Sequence, residues 1–484
     1  MTSRPASRWA LTALSLSMLL PSLGTSIANV GLPAMATSLS AAFHQVQWVV
    51  IGYLLAVTTL IVGVGGLGDL LGRRRLLVGS AALFTAASLL CGLAPNLVLL
   101  ITARVLQGAG AAGMMALTMA LVGETVPPAR TGRAMGLLGT MSAVGTALGP
   151  SLGGVLVAGF GWRAIFLAIV PLGLLTTALT YRALPRSAPA EPSTRRRFDL
   201  VGTVLLAITL GAYALAMTTG GRSSGTTTFT LLAVAAAALA LFVIAESRVP
   251  APLLRLPLLR DPGLAAGLTT SALVATVMMT TLVVGPFHLS GALHLGPALV
   301  GLVMSVGPAV SALVGVPAGR AADRFGAETM VAAGLGGIIG GAAVLSLMPA
   351  TAGVLGYVLP LVVVTAGYAV FQAANNTAVM GNVAREQRGV VSGTLNLSRN
   401  IGLMTGASVM GTVFALAGAG DGTTAPATEV ARGTHATFAV AAVLVSLGLA
   451  LVLALRVRRG WFTGRAVRGR SPVATASRRE PSGL

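Results

Sequence analysis

Apolar positions in this chain come in long uninterrupted runs, separated by short polar turns that carry proline, glycine and arginine. Runs of about 20 apolar residues are the length a helix needs to cross a bilayer. They do not alternate, so a closed barrel of strands, the other structure able to span lipid, is excluded. The pattern predicts helices over residues 10–32, 46–67, 76–93, 97–122, 134–158, 164–181, 200–219, 228–245, 264–286, 298–318, 328–348, 354–380, 389–416 and 436–455. That is an all-α membrane protein of roughly fourteen transmembrane helices. Two breaks are longer and more polar than the rest. Residues 182–198 hold Pro185, Pro189, Pro192 and Arg195 to Arg197, and residues 246–262 again carry proline and arginine. Both read as linkers.

One turn occurs twice. Gly65, Asp69 and Gly72 share the spacing of Gly319, Asp323 and Gly326, and arginines lie beside each copy: Arg73, Arg74 and Arg75 in the first, Arg320 and Arg324 in the second. A duplicated turn points to two related halves, as in transporters built from internal repeats. The first copy follows helix 2 and the second follows helix 10. Two six-helix halves alone would put the second copy after helix 8, so helices 7 and 8 read as an insertion. The expected division is a six-helix bundle over 1–181, a linker with two inserted helices over 182–262, a second six-helix bundle over 263–457, and a disordered basic tail over 458–484.

Composition and charge agree with this layout. Mean hydropathy is +0.87 and only 9% of residues are charged, too little polar surface for a soluble protein. The net charge of +20 comes from 32 basic residues, all arginine. They gather in alternate turns rather than on one face, which argues against nucleic acid as a partner. Only Arg163, Arg222 and Arg432 fall on one side, with Arg104 and Arg399 inside helices. By the positive-inside rule the arginine-rich side is cytoplasmic and holds both termini, as a multi-pass protein of the cell membrane requires. The apolar stretch after Arg4 and Arg8 reads as an uncleaved first helix rather than a signal peptide. Cys91, the single cysteine, reads as a small core residue.

Three further motifs carry chemistry or packing. In helix 4, Arg104 is followed by Gln107, Gly108 and Gly110. This arginine lies about 10 Å from the outer end of its helix, where an unpaired charge is costly, so it should face the interior and a partner. In helix 5, Gly145, Gly149, Pro150, Gly153 and Gly154 form a stripe that permits close helix packing and a bend. In helix 1 the run is Gly24, Thr25, Ser26, Ile27, Ala28, Asn29, with Pro33 beyond. With the duplicated turn, these motifs resemble the major facilitator superfamily, and most of all its fourteen-helix drug:proton antiporter branch. The resemblance covers essentially the whole chain and implies the major facilitator fold, two pseudo-symmetric bundles plus two inserted helices. It also implies that the Asp69 turn latches the outward-open state, that Arg104 takes part in proton coupling, and that the helix 5 stripe marks an exporter. The chain departs from the branch at Gly24, where an aspartate is usual, and at Ile169, where an asparagine is usual.

None of the twelve acidic residues lies near the middle of a helix. The coupling site is therefore not the usual one, and Asp69, Glu124 and Arg104 remain the candidates, with Arg73, Arg74, Asp323 and Arg324 in the gating turns. His44, His288, His294 and His435 fall near outer ends, as interface histidines do. Arginine without carboxylate gives a positive cavity, which suits anionic or neutral cargo better than cationic cargo. Expected cavity residues are Thr25, Asn29, Trp48, Tyr53, Gln107, Met278, Met279, Tyr368, Gln372, Asn375, Asn376 and Arg399, a mix of apolar walls with a few polar groups. The reading is a secondary active exporter of antibiotics or other small organic compounds, working by alternating access and proton antiport. Its partners are cargo, protons and the bilayer; it acts as a monomer, without cofactor and without catalysis. No phosphate-binding GxxxxGK[ST] loop is present. The rivals are an uncoupled facilitator or uptake permease of the same fold and, from another class, a membrane enzyme or sensor. The sequence shows neither a metal or nucleophile cluster nor a soluble signalling domain to support the latter.

Overall fold

The computed structural model describes residues 6–61, 63–126, 131–184, 199–219, 225–248, 260–381, 388–419 and 425–468. Among them are fourteen helices long and apolar enough to cross a membrane: α1 Trp9–Ser38, α2 Phe43–Leu60, α3 Arg73–Leu93, α4 Leu97–Val122, α5 Leu137–Phe160, α6 Ala164–Ala183, α7 Leu200–Thr219, α8 Gly225–Arg248, α9 Pro262–Ala292, α10 Pro297–Phe325, α11 Ala327–Leu347, α12 Gly353–Gly381, α13 Gly393–Gly418 and α14 Ala427–Arg456. The described residues contain no strand. Each expected span is matched by one of these helices, and an even number of spans returns both ends to one side. The helix of α14 runs on to Arg468, into the stretch expected to be a disordered tail, whose remainder lies outside the described residues.

Burial sorts the helices. In α1 72% and in α9 78% of the membrane-spanning window is buried, against 17% in α8. The first helix of each half is thus central, and the second inserted helix faces lipid. The repeat is visible in the packing as well. Gly110 of α4 lies against the backbone of Ser80 and Phe84 in α3, and Gly367 of α12 lies against the backbone of Gly334 and Ile338 in α11. The inserted α7 packs beside α8 and reaches both halves. Gly211 meets Leu55 of α2, and the Thr412 hydroxyl of α13 donates to the Met217 carbonyl at 2.5 Å.

Lipid offers no hydrogen bonds, so polar side chains within the spans must find protein partners. The buried serines and threonines do this locally: Thr58, Thr85, Ser88, Thr176, Thr180, Thr270 and Thr365 each donate to the carbonyl four residues back. Helix starts are closed by side chains too. Asn96 accepts from the Leu99 amide at 2.9 Å, and Asp261 accepts from the Leu264 amide at 2.7 Å ahead of Pro262.

Four spans depart from plain helix. In α2 the interruption is at Gln47, and in α6 it is at Ala168. Beyond α2 a separate short helix follows, Val64–Leu71. α9 ends in a π-helical turn, His288–Ala292. α13 carries two such turns, Gly406–Met410 and Ala415–Ala419, with Gly411 between them. Insertions of this kind leave carbonyls off the regular ladder and recur at functional sites.

The duplicated turn has a clear reason for its last glycine. Gly72 has φ +90° and ψ 119°, and Gly326 has φ +87° and ψ 136°. Each ends one helix and starts the next in a conformation that a β-carbon strains by roughly 1–2 kcal/mol. Gly72→Ala and Gly326→Ala should each lower stability by about 1 kcal/mol, and the two should add. The check is the unfolding midpoint of the purified protein; an unchanged midpoint at either site would mean that its turn relaxes freely.

Candidate functional site

The polar centre of the first half is built on Arg104. It is fully buried in α4. Its Nε donates to the Val49 carbonyl at 2.8 Å, and its Nη1 donates to the Gly24 carbonyl at 3.1 Å and to Gln107 Oε1 at 2.5 Å. Gln107 in turn donates to Ser88 Oγ at 2.7 Å. The guanidinium lies 4.2 Å from the centre of the Tyr53 ring and 5.7 Å from that of Phe166. The Tyr53 hydroxyl donates to the Pro21 carbonyl at 2.9 Å. One buried cation thus ties α1, α2, α3, α4 and α6 together. Its Nη2 has no hydrogen-bond partner among the described residues. The partner it was expected to need is supplied by backbone carbonyls and aromatic faces, with no carboxylate among these contacts.

The helix 5 stripe works as a packing surface with two directions. A β-carbon on Gly145 would lie 2.5 Å from the Leu19 carbonyl, one on Gly149 would collide with Ser26, and one on Gly153 would lie 3.0 Å from Ile27 Cγ1; all three neighbours belong to α1. Gly154 faces the other half. Its β-carbon would lie 2.6 Å from the Pro297 carbonyl and 2.8 Å from the Gly301 α-carbon of α10. Gly301 in turn sits against Gly154 and the Pro150 carbonyl.

That contact lies at the outer ends of α5 and α10. Gly139 is about three turns inward of Pro150 on the same face of α5, and Gly319 is about five turns inward of Gly301 on α10. Neither position has any described atom of a neighbouring helix within 4 Å of where its β-carbon would lie. The backbones of the two halves thus meet at Gly154 and Gly301, while at Gly139 and Gly319 no described neighbour fills the space beside the helix. Three rings plug the outer end between the halves: Phe43 of α2, Phe287 of α9 and Phe414 of α13. Phe43 is 4.6 Å from Phe287, edge to face, and 5.1 Å from Phe414, while Phe287 and Phe414 are 6.4 Å apart.

The expected cavity residues divide into two sets in this state. Asn29, Tyr53, Gln107, Met279 and Asn375 are buried in helix packing. Asn29 donates to Thr25 O, and Asn375 donates to Gly267 O, holding α12 against α9. Thr25, Trp48, Met278, Tyr368, Gln372 and Arg399 are half-buried, and Asn376 is exposed. The Nε of Arg399 has no hydrogen-bond partner among the described residues. In the inner turns, Arg74 donates to the Tyr181 carbonyl and lies 5.1 Å from the centre of its ring; Arg324 lies 5.3 Å from the Phe325 ring, and Asp323 is exposed. The side chains of Asp69 and Glu124 lie outside the described residues. Sequence reading missed the three-ring plug, since single phenylalanines in apolar runs carry no signal of their own.

The Arg104 network makes a stability prediction. Lysine keeps the charge but loses the planar fork, and one ammonium cannot satisfy Val49, Gly24 and Gln107 in their present directions. Arg104→Lys should cost about 2 kcal/mol and lower the unfolding midpoint. Arg399→Lys removes no hydrogen bond seen at Nε and should leave the midpoint nearly unchanged. Equal midpoints for the two variants would show that the Arg104 fork contributes nothing.

The comparisons with known proteins fit this architecture. The family model described as Major Facilitator Superfamily matches residues 14–407 and 272–477. The chain is 33% identical over 408 residues to a multidrug resistance protein, Stp, of Mycobacterium tuberculosis (strain CDC 1551 / Oshkosh), covering 84% of this chain and 75% of the relative. It is 28% identical over 405 residues to a riboflavin transporter, RibZ, of Clostridioides difficile (strain 630), covering 84% of this chain and 88% of the relative. Among solved structures it is similar to a bacterial homologue of the human lysosomal transporter Spinster in an inward-facing, unoccupied conformation, with TM-score 0.69 and 15% identity over 93% of this chain and 97% of the other. With fourteen apolar helices, a duplicated turn and two halves meeting at Gly154 and Gly301, the chain belongs to the Major Facilitator Superfamily and is a multi-pass membrane transporter with multidrug efflux pumps among its relatives.

Proposed function

We propose that this protein exports antibiotics or related small organic compounds across the bacterial cytoplasmic membrane, by alternating access between halves 1–181 and 263–457. The observation that carries the reading is the seam. Its outer end is closed by Gly154 against Gly301 and by three phenylalanine rings, while at Gly139 and Gly319 no described neighbour fills the space beside the helix. Such a state is loaded from the cytoplasm and empties when the closed end opens. The similarity to Stp, a multidrug resistance protein, supports efflux as the direction.

Arg104 supports the finer reading of cargo. Its charge is fully buried and held by carbonyl dipoles, which leaves the first half with a fixed positive charge. Arg399, half-buried on α13, adds a second. A cavity under that potential favours anionic or neutral cargo. Proton antiport is the proposed source of energy, with Asp69 and Glu124 as candidate carriers. A second reading, an uncoupled facilitator or uptake permease, is favoured by the Gly24 carbonyl: it meets Arg104 at the position where the antiporter branch usually carries an aspartate.

Purified protein in liposomes separates these readings. With an imposed pH gradient, the uptake of an anionic antibiotic should rise severalfold and collapse with a protonophore, while a cationic one stays near the level of empty liposomes. Movement of the cation alone would overturn the positive-cavity reading. Movement of either that ignores the gradient would replace antiport with facilitation.

A further inference from the structure

The outer end contains a second contact between the halves, distinct from the glycine pair of α5 and α10. Gln47 lies in α2 at the junction between its first turn, Phe43–Val46, and the helix Trp48–Leu60, and is 1% exposed. Its side chain crosses to α13 and lies on Gly411, where a β-carbon would coincide with the Gln47 amide. Gly411 sits between the two π-helical turns of α13, which re-aim the helix at this point. It is three residues before Phe414, and Gln47 is four residues after Phe43, so the contact adjoins the aromatic plug. The amide Nε2 of Gln47 has no hydrogen-bond partner among the described residues.

We propose that Gln47 and Gly411 form the lock of the outer gate, a tongue on the first half seated in a notch on the second. The proposal rests on the alternating-access reading above. The notch is free because residue 411 has no side chain; a β-carbon there would meet the movable end of the Gln47 side chain, so a larger residue displaces the tongue and weakens the lock. The same geometry biases the lock toward release. A buried amide without a partner recovers hydrogen bonds when it meets water, and opening the outer end brings water to Gln47. Shape holds the gate shut and solvation favours opening it, so neither state dominates strongly. The two residues position the halves and need not touch cargo.

The test uses the full-length protein in intact cells, with cysteine accessibility as the readout. The native Cys91 is buried. Val284, fully buried in α9 close to Phe287, becomes the reporter as Val284→Cys. A membrane-impermeant thiol reagent is applied from outside. Gly411→Ala should raise the labelling rate about tenfold, and adding Gln47→Ala should return it to the parent rate. Gln47→Met, similar in length but without the amide, should slow labelling severalfold, which keeps the test open should Gly411→Ala fold poorly. Parent-like labelling of Gly411→Ala overturns the lock, as does a double variant that stays at the Gly411→Ala rate. A Gln47→Met rate at or above the parent overturns the release bias. Because labelling needs neither cargo nor gradient, these outcomes stand apart from the exporter reading. That reading has its own control: Gly139→Cys at the inner end should label in inside-out vesicles, and a failure there removes the inward-open state while leaving the lock result intact.

Discussion

The arrangement depends on one place where two helices meet with no side chains between them, Gly154 of α5 against Gly301 of α10. In a bilayer, apolar side chains gain little by leaving lipid for protein, so helices associate through close van der Waals packing. Each atom pair contributes only about 0.1–0.2 kcal/mol, and a firm contact needs backbones near enough to make many of them. Three glycines of the same stripe provide that against α1, within one half, and the fourth provides it across the seam. The internal contacts extend over the whole stripe and bind α5 firmly to α1. The cross-seam contact is closest at Gly154 and Gly301, where one glycine rather than three meets the neighbouring helix. A single run of small residues therefore makes one half rigid and leaves it separable from the other.

Arg104 contributes to the same division. A buried cation usually calls for a carboxylate, and this chain meets it with carbonyls of α1 and α2, the Gln107 amide and two ring faces. An ion pair could break and re-form as protons come and go, whereas carbonyls do not titrate. The bonds that hold Arg104 are therefore independent of pH, which suits a fastener that keeps five helices moving as one body. Taken with the glycine stripe, this confines the flexible part of the molecule to the seam.

Much of this was legible in the sequence, because lipid imposes rules that act on single segments. Each span must be apolar and long enough, so fourteen helices can be read without knowing any neighbour. The duplicated turn was legible because a positive-φ glycine is needed wherever that turn occurs, and Gly72 and Gly326 share it. What stayed hidden depends on pairs. Asn29, Met279 and Asn375 looked like cavity wall because their helices are central, yet each turns into packing. The π-helical turns of α9 and α13 have no compositional mark. The Phe43, Phe287 and Phe414 plug joins residues from three helices and both halves, and nothing local distinguishes those phenylalanines from others in apolar runs.

The inserted helices add a second seam with its own mechanics. α5 and α10 close one side of the molecule directly, glycine to glycine. On the other side α7 lies across α2 and α13, and its two attachments differ in kind. Toward α2 it presents Gly211, which faces the Leu55 side chain across room that a β-carbon would fill, with no side chain of its own to interlock. Toward α13 it accepts from the Thr412 hydroxyl through the Met217 carbonyl at 2.5 Å, a bond that costs more to break in the absence of water. If the halves move, the hydrogen bond to α13 is the costlier of these two contacts to lose. Thr412 is the residue next to Gly411, which puts the anchor of the inserted pair beside the notch of the outer gate. The extra helices are thus placed to follow the second half and to keep the lateral gap beside α2 covered as the outer end opens.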